Sequence, residues 1–478
     1  MRQGVLGLVA AAAVLLPGAT VAAGADAAQP TAALASPNVV VIMTDDQTVE
    51  SLRVMTNVKR LLGDRGATFS QSFVTYALCC PSRATFLTGQ YAHNHGVMGN
   101  APPEGGYAKL DHTNTLPVWL QQAGYYTAHL GKYLNGYGRT NPTEIPPGYD
   151  EWRGSVDPST YRFYDYTLNE NGTLHTYERA YQTDLYARKA VNIINRRAPQ
   201  AQPFFLWVAF LAPHSGGPRE PDDPAGQATP VPAPRHRNDF ASARLPRPPG
   251  FNEANVSDKP IGIRNRPLLT RARIAKIREN YQQRLESLLA VDEAVAKIVA
   301  ALRAKGELAN TLIVFTSDNG FFHGEHRVPA GKVLPYEPSI RVPLIIRGPG
   351  IPAGLRLTQR VANIDLAPTI VDAAGATAGR VMDGRSLLPV IASPGMSLNR
   401  DLLVERGPGQ GTFTALRAPN YFYAEYGNGE QELYDFARDP YQLTSRHADP
   451  AYAPIEADLA ERLAHLRTCA GFTCRTRP

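Results

Sequence analysis

The sequence predicts an α/β fold in which a large, mostly parallel sheet is flanked by helices and followed by a small C-terminal antiparallel sheet. Two apolar runs carry most of that prediction. Pro37-Asn-Val-Val-Val-Ile-Met43 and Asn310-Thr-Leu-Ile-Val-Phe-Thr316 are continuous and β-branched, the pattern of strands buried on both faces. Between them, helical periodicities alternate with further apolar runs, as happens when helices cover both sides of a sheet.

The 478-residue chain is long enough to bury one large core and a smaller one. It opens with Met1-Arg-Gln, an apolar run over residues 5–16 and the small residues Ala22-Ala-Gly-Ala25. These are the parts of a cleavable secretory signal over residues 1–28, cut between Ala23 and Ala28. The run is shorter than the ~20 residues of a spanning anchor, and no other segment is apolar enough to cross a bilayer. A secreted or extracytoplasmic protein without a membrane partner is therefore expected. The 49 Lys and Arg against 43 Asp and Glu leave a net charge of +6. With no long basic run, this is a diffusely basic surface, compatible with an acidic substrate and not suggestive of nucleic acid.

After an Ala- and Pro-rich linker, the first strand ends in Thr44-Asp45-Asp46-Gln47. Adjacent carboxylates repel, and a cation or hydrogen-bond donors must compensate. Residues 54–62 have helical spacing and residues 67–74 are extended. Next, Ala77-Leu-Cys-Cys-Pro-Ser-Arg-Ala-Thr-Phe-Leu-Thr-Gly89 reads as a loop entering a helix, because proline is preset for a first helical turn. Unpaired N–H groups at that helix start, with Arg83, make a place for an anion. Taken alone, Cys79 and Cys80 are equally well two small buried residues or a disulfide partner.

Further along, residues 116–123 are helical before a strand at 125–130, and an amphipathic helix at 181–196 leads into an apolar strand at 203–211. Residues 269–305 are mostly helical. The stretch 215–265 is rich in Pro, Gly and charge and has no periodicity. A loop this long either shapes a site or is a surface insertion; its position directly after His214 points to the rim of a substrate pocket.

The second buried strand ends in Ser317-Asp318-Asn319-Gly320. The C-terminal ends of parallel strands share one edge, where ligands bind, so Asp45, Asp46, Asp318 and Asn319 can meet there. Oxygen donors without sulfur or imidazole suit a hard cation, Ca²⁺ ahead of Mg²⁺. Residues 402–405, 412–417, 421–426 and 432–435 form short extended runs before a helix at 455–466. Of the four cysteines, Cys469 and Cys474 lie close enough in a polar tail to pair in an oxidising compartment.

Cys79-x-Pro81-Ser82-Arg83-x-x-x-Leu87-Thr88-Gly89 resembles, at every fixed position, the signature of the type I sulfatases. Only Cys79 fits the register. In that family the leading cysteine is converted to formylglycine by a formylglycine-generating enzyme, and its hydrated aldehyde is the nucleophile. The resemblance implies an alkaline-phosphatase-like sandwich, with a catalytic domain over 37–396 and a small α+β subdomain over 397–478. It further implies that Asp45, Asp46, Asp318 and Asn319 are metal ligands, with the modified Cys79 completing the shell. Gly131-Lys132, Pro213-His214 and Gly331-Lys332 resemble the family's two sulfate-binding lysines and the histidine facing the ester oxygen. Arg83, Lys132 and Lys332 would neutralise the sulfate.

Many arylsulfatases carry a histidine where this chain has Leu134, so that residue is not carried over; Asn135 or His95 is the candidate in its place. Gly131-Lys-Tyr-Leu-Asn135 and Tyr91-Ala-His93-Asn94-His95 look like the branch containing the N-acetylglucosamine-6-sulfatases and heparan-sulfate sulfatases. A sulfated small molecule or saccharide is the implied substrate, with 6-sulfated N-acetylglucosamine foremost. Two alternatives stand beside it: a phosphodiesterase or phosphonate-monoester hydrolase, which can share nucleophile and fold, and a non-catalytic binder of sulfated glycans.

Overall fold

Strands form where the apolar runs predict them. The computed structural model describes Met1, Gly4, residues 6–11, residue 13, and residues 36–478 apart from 222, 410 and 478. The secretory signal expected at 1–28 lies largely outside the described residues. Ten strands make the main sheet: Asn38–Thr44 (β1), Ala67–Phe73 (β2), Tyr126–Gly131 (β3), Glu151–Ser155 (β4), Tyr166–Glu170 (β5), Thr173–Tyr177 (β6), Phe204–Ala209 (β7), Thr311–Ser317 (β8), Leu344–Arg347 (β9) and Leu355–Ala362 (β10). Their order is β10-β2-β9-β8-β1-β7-β3-β4-β5-β6.

At the centre, β1 pairs in parallel with both β7 and β8, and β3 pairs in parallel with β7 and β4. Every residue of β1 and β8 is buried. Side chains of β1 alternate between two cores, as a period of two requires. Val39, Val41 and Met43 join the cluster that includes Phe86, Leu87, Trp119 and Ile370. Val40 and Ile42 face the other cluster, with Ile193, Ile194, Val291 and Val295. The helices Gln182–Arg197 and Arg271–Ala304 thus cover one side, and Cys79–Thr88, Leu116–Gln122 and Leu366–Ala374 the other.

Strands β4, β5, β6 and β10 have no counterpart in the sequence reading. β6 and β10 are the two edges, and β6 is exposed along nearly its whole length; β4 and β5 are largely buried but carry polar residues such as Glu151, Arg153, Thr167 and Asn169, so no continuous apolar run marks them.

The smaller sheet is antiparallel throughout, ordered Leu402–Arg406 (β11), Phe413–Arg417 (β12), Tyr421–Tyr426 (β13) and Gln431–Asp435 (β14). The Ala453–Arg467 helix packs on it through Leu459, Leu463 and Leu466. Phe73, Phe322 and Tyr336 belong to the same apolar cluster, so this sheet shares a core with the chain around β2 and beyond β8. Cys469 and Cys474 are disulfide-bonded, with Cα atoms 5.0 Å apart.

Within 215–265, regular structure amounts to a 3-10 turn at Pro234–His236 and a short helix at Ile261–Arg264. Among the described residues, no helix is long and apolar enough to cross a membrane.

Candidate active site

The C-terminal edge of the main sheet gathers the charged side chains. β1 runs into Asp45 and Asp46, β8 into Asp318 and Asn319, β3 into Lys132, and β7 continues to His214. Gly131 makes the turn into Lys132 at φ 105°; a Cβ there would stand 2.1 Å from the Ala209 carbonyl oxygen, so only glycine lets β3 close on β7 at this point. Cys79 opens the Cys79–Thr88 helix, with Pro81 in its first turn and Gly89 at φ 68° closing it.

The acids and bases interlock. Asp45 Oδ2 accepts from Arg83 Nη2 at 3.1 Å and from Lys132 Nζ, while Asp45 Oδ1 lies 3.4 Å from Cys79 Sγ. Asp46 Oδ1 accepts from Asn319 Nδ2 at 2.7 Å and from Lys332 Nζ. Lys332 Nζ is also 2.8 Å from Cys79 Sγ. Arg83 Nε donates to Asp318 Oδ2 at 2.8 Å and Nη1 to the Lys132 carbonyl at 2.7 Å, and the Asp46 N–H donates to Asp318 Oδ1 at 3.1 Å. Asp45 and Arg83 side chains are wholly buried. A lone buried carboxylate would cost several kcal/mol, so three of them persist here only because cations meet them.

The electrostatics follow. Burial pushes the Asp45 carboxyl up, but Lys132, His214, Arg83 and Lys332 outweigh it and hold the group well below the carboxylate range. Asp46 is lowered, with burial again opposed by Lys332 and His214. Asp318 is raised, by burial and then by Asp45. Burial, with Asp45 beside it, pushes the Cys79 thiol up to about 12. Burial lowers His214, against the pull of Asp46 and Asp45.

A divalent cation fits these donors. Asp45, Asp46, Cys79 and His214 each bring one ligand atom into a group spanning no more than 4.8 Å. Asn319 Oδ1 is buried without a hydrogen-bond partner, an oxygen to spare beside Asp46. Carboxylate and amide oxygens are the ligands of a hard ion. Asp318 stands in this network with both oxygens already accepting, one from Arg83 and one from the Asp46 amide.

Every site residue read from the sequence lies in this cluster, but Arg83 differs in detail. Its guanidinium is spent on Asp45, Asp318 and the Lys132 carbonyl, so it holds the acids in register and adds charge from behind them. Of the two candidates for the missing histidine, His95 has both ring nitrogens engaged locally, with Thr85 Oγ1 and the Val97 N–H at 3.1 Å each. Asn135 reaches the site through its 2.6 Å bond to the Tyr161 hydroxyl.

Two residues escaped the sequence reading. Tyr161 carries Lys132 Nζ over its ring at 4.8 Å from the centroid, and its ring lies 5.1 Å from that of His214. Arg284, buried on the Arg271–Ala304 helix, donates to the Asp46 carbonyl and stacks 3.9 Å from the Phe321 centroid. The signal for Arg284 was the polar residues Asn280, Gln282, Gln283 and Arg284 in a stretch of helix buried all round; nothing local marks Tyr161.

Parallel strands that bring acids, lysines and a histidine to one edge define a hydrolase of anionic esters. The sulfatase family model matches residues 37–376, and the chain belongs to the sulfatase family. It is a sulfuric ester hydrolase. The N-acetylglucosamine-6-sulfatase of Homo sapiens is 34% identical over 495 residues, covering 92% of this chain and 86% of that one. An arylsulfatase of Volvox carteri is 34% identical over 500 residues, covering 92% and 75%. A structure solved in complex with its substrate D-glucosamine-2-N,6-O-disulfate superposes with a TM-score of 0.78 at 26% identity, over 90% of this chain and 97% of that one. The alkaline-phosphatase-like sandwich expected from the cysteine motif is the architecture present.

Proposed function

We propose that this protein removes sulfate from a sulfated carbohydrate, with 6-sulfated N-acetylglucosamine as the unit attacked. One observation carries the reading: Asp45, Asp46, Asp318, Asn319, Lys132, His214 and Lys332, from distant parts of the chain, converge on the single thiol the sulfatase signature marks, Cys79. The names of the relatives support the sugar.

A sulfate monoester is anionic, so attack on it is repelled unless fixed charges neutralise the sulfuryl oxygens. Lys132 and Lys332 provide such charges, and Arg83 reinforces them from behind the acids. Asp45, Asp46, Asp318 and Asn319 would hold a divalent cation, Ca²⁺ ahead of Mg²⁺, which would supply Lewis-acid neutralisation of the sulfate. Cys79, once oxidised to formylglycine by a separate maturation enzyme, would supply a hydrated aldehyde: one hydroxyl as the nucleophile toward sulfur, and the second to lose its proton so that sulfate leaves and the aldehyde re-forms. The Cys79 sulfur stands in for that hydroxyl, and Lys332 Nζ beside it at 2.8 Å is placed to steady its charge. His214 Nδ1 donates to the Ser215 carbonyl at 2.6 Å, which leaves Nε2 turned toward Asp46 and the site. With Nδ1 keeping its proton, Nε2 donates to the departing alcohol oxygen in the imidazolium form, which Asp46 and Asp45 favour against burial.

We read residues 1–28 as an export signal, 37–396 as the catalytic domain and 397–478 as its C-terminal partner. The test of function is a comparison of rates on 6-sulfated N-acetylglucosamine, an aryl sulfate and an aryl phosphodiester. The sulfated sugar should have the highest kcat/KM; a phosphodiester turned over faster than either sulfate ester would overturn the reading.

A further inference from the structure

We infer that a groove lined by four arginines holds the anionic groups of an extended sulfated glycan; this rests on the carbohydrate reading above. The groove is a cavity of about 750 Å³. Its walls combine Arg244 and Arg247, from the long 215–265 loop, with Arg271 and Arg278, from the Arg271–Ala304 helix.

The sequence builds this wall deliberately. Arg271, Ile274, Ala275 and Arg278 follow the i, i+3, i+4, i+7 spacing of one helix face. On the loop side, Pro246, Pro248 and Pro249 restrict the backbone around Arg247, and a step of three residues along such an extended chain returns Arg244 and Arg247 to the same side. Leu245, between them, is buried against Ile277, Tyr281 and Leu285 and ties the loop to the helix.

All four arginines are exposed. None makes an ion pair or a side-chain hydrogen bond among the described residues, and no carboxylate lines the cavity. Among the described residues, some exposed arginines elsewhere are paired, Arg235 with Asp184 and Glu293 and Arg196 with Glu151, and Arg65, Arg179, Arg188 and Arg303 are not; what sets these four apart is that they share one concavity. Arg247 lies 5.2 Å over the Phe251 ring, which keeps its charge, so four guanidinium groups without a counter-charge surround one concavity and repel each other until an anion enters. Their planar forks match sulfate and carboxylate oxygens.

Placement relative to the site narrows the ligand. Arg247 also lines a second cavity of about 530 Å³, whose walls include Thr48, two residues past Asp46, and Phe321, two past Asn319. That cavity also carries Glu50, Glu325 and Glu337, so the unopposed positive charge lies in the arginine groove. Arg271 and Arg278 stand about 10 Å apart along the helix axis, so the anions they hold are spaced along a polymer and do not belong to one sulfate group. Among the described residues, no aromatic side chain lines the arginine groove, so they offer no platform for stacking nucleic-acid bases.

The experiment compares the wild-type protein with the Arg244→Gln, Arg247→Gln, Arg271→Gln, Arg278→Gln variant and with the Arg271→Gln, Arg278→Gln pair, each checked for an unchanged melting temperature. Calorimetry with a heparin octasaccharide should show about tenfold weaker binding to the fourfold variant and an intermediate loss in the pair, with a shallower salt dependence in both. Equal affinity for wild type and variants would overturn the inference. So would a single-stranded RNA of equal charge that binds wild type as tightly as the glycan and is lost in parallel. Turnover separates the two readings: if wild type hydrolyses an aryl sulfate but no sulfated saccharide of any length, the carbohydrate function fails, while the calorimetric comparison still decides the groove.

Discussion

Arg284 donates from Nη2 to the carbonyl oxygen of Asp46, and Asp46 holds φ at 67°. A residue other than glycine in that left-handed region costs about 1–2 kcal/mol. The Arg284 bond, with the Asp46 N–H given to Asp318 and its carboxylate to Lys332 and Asn319, holds the peptide there. The reward is that two consecutive carboxylates face one site, where an extended strand would send them to opposite faces.

Replacing Arg284 therefore tests positioning at a distance. Arg284→Met should lower kcat by about 10- to 100-fold, the usual range for residues that orient ligands from behind. It should also weaken Ca²⁺ affinity measured by thermal shift, and Arg284→Lys should recover part of both. A variant with lost activity and undiminished Ca²⁺ affinity would show that the bond does not orient Asp46.

Neighbouring cysteines should behave oppositely. Cys79→Ser can form a sulfate ester but lacks the second hydroxyl, so steady-state turnover should stop. Cys80 is buried among apolar side chains, and its N–H donates to Asn100 Oδ1 at 3.0 Å. Cys80→Ser should cost about 1 kcal/mol of stability, from burying a hydroxyl, and leave turnover in place. Assays of the two variants, with mass spectrometry of the wild-type Cys79 peptide, check both statements.

Metal removal should act on stability and rate together. Three carboxylates at the sheet edge favour a divalent ion in the folded chain only. Ca²⁺ at a hundred times its Kd should thus add about 3 kcal/mol. Chelation should lower the melting temperature and abolish turnover, and Ca²⁺ should restore both more fully than Mg²⁺. A melting curve indifferent to chelator would contradict the ligand assignment.

Away from the site, Glu286 makes stability depend on pH. Burial, with Glu279 and Asp239 nearby, pushes its carboxyl up to about 7, against the hydrogen bond it accepts from the Phe240 N–H. Below its ordinary value of 4.5, folded and unfolded chains both hold the proton, and nothing is lost. As the pH rises toward 7 the unfolded chain ionises while the folded chain resists, so stability falls across that window. Glu286→Gln should remove the decline, raising stability at pH 8 by about 1 kcal/mol after allowance for solvent screening and changing little at pH 4. Thermal melts at the two pH values decide it.

Much of this molecule is legible along the chain. A strand buried on both faces must be apolar throughout, so β1 and β8 announce themselves. Polar residues closing such strands, and a cysteine motif opening a helix, mark Asp45, Asp46, Asp318, Asn319 and Cys79 as candidates before any coordinate is known. The strands β4, β5, β6 and β10 do not, because exposure at the edges in β6 and β10, and buried polar residues in β4 and β5, leave no continuous apolar pattern to read.

What folding alone decided is which partners these residues keep. Arg83 in the sequence is a cation beside a nucleophile; in space its donors are claimed by Asp45, Asp318 and a backbone carbonyl. Tyr161 beneath Lys132, Arg284 behind Asp46, and four arginines facing one groove are pairings between segments tens to hundreds of residues apart. Local pattern records whether a side chain is buried, since burial follows from periodicity, but it carries no record of what lies opposite. That depends on how the sheet orders its strands and where the long loop is pinned.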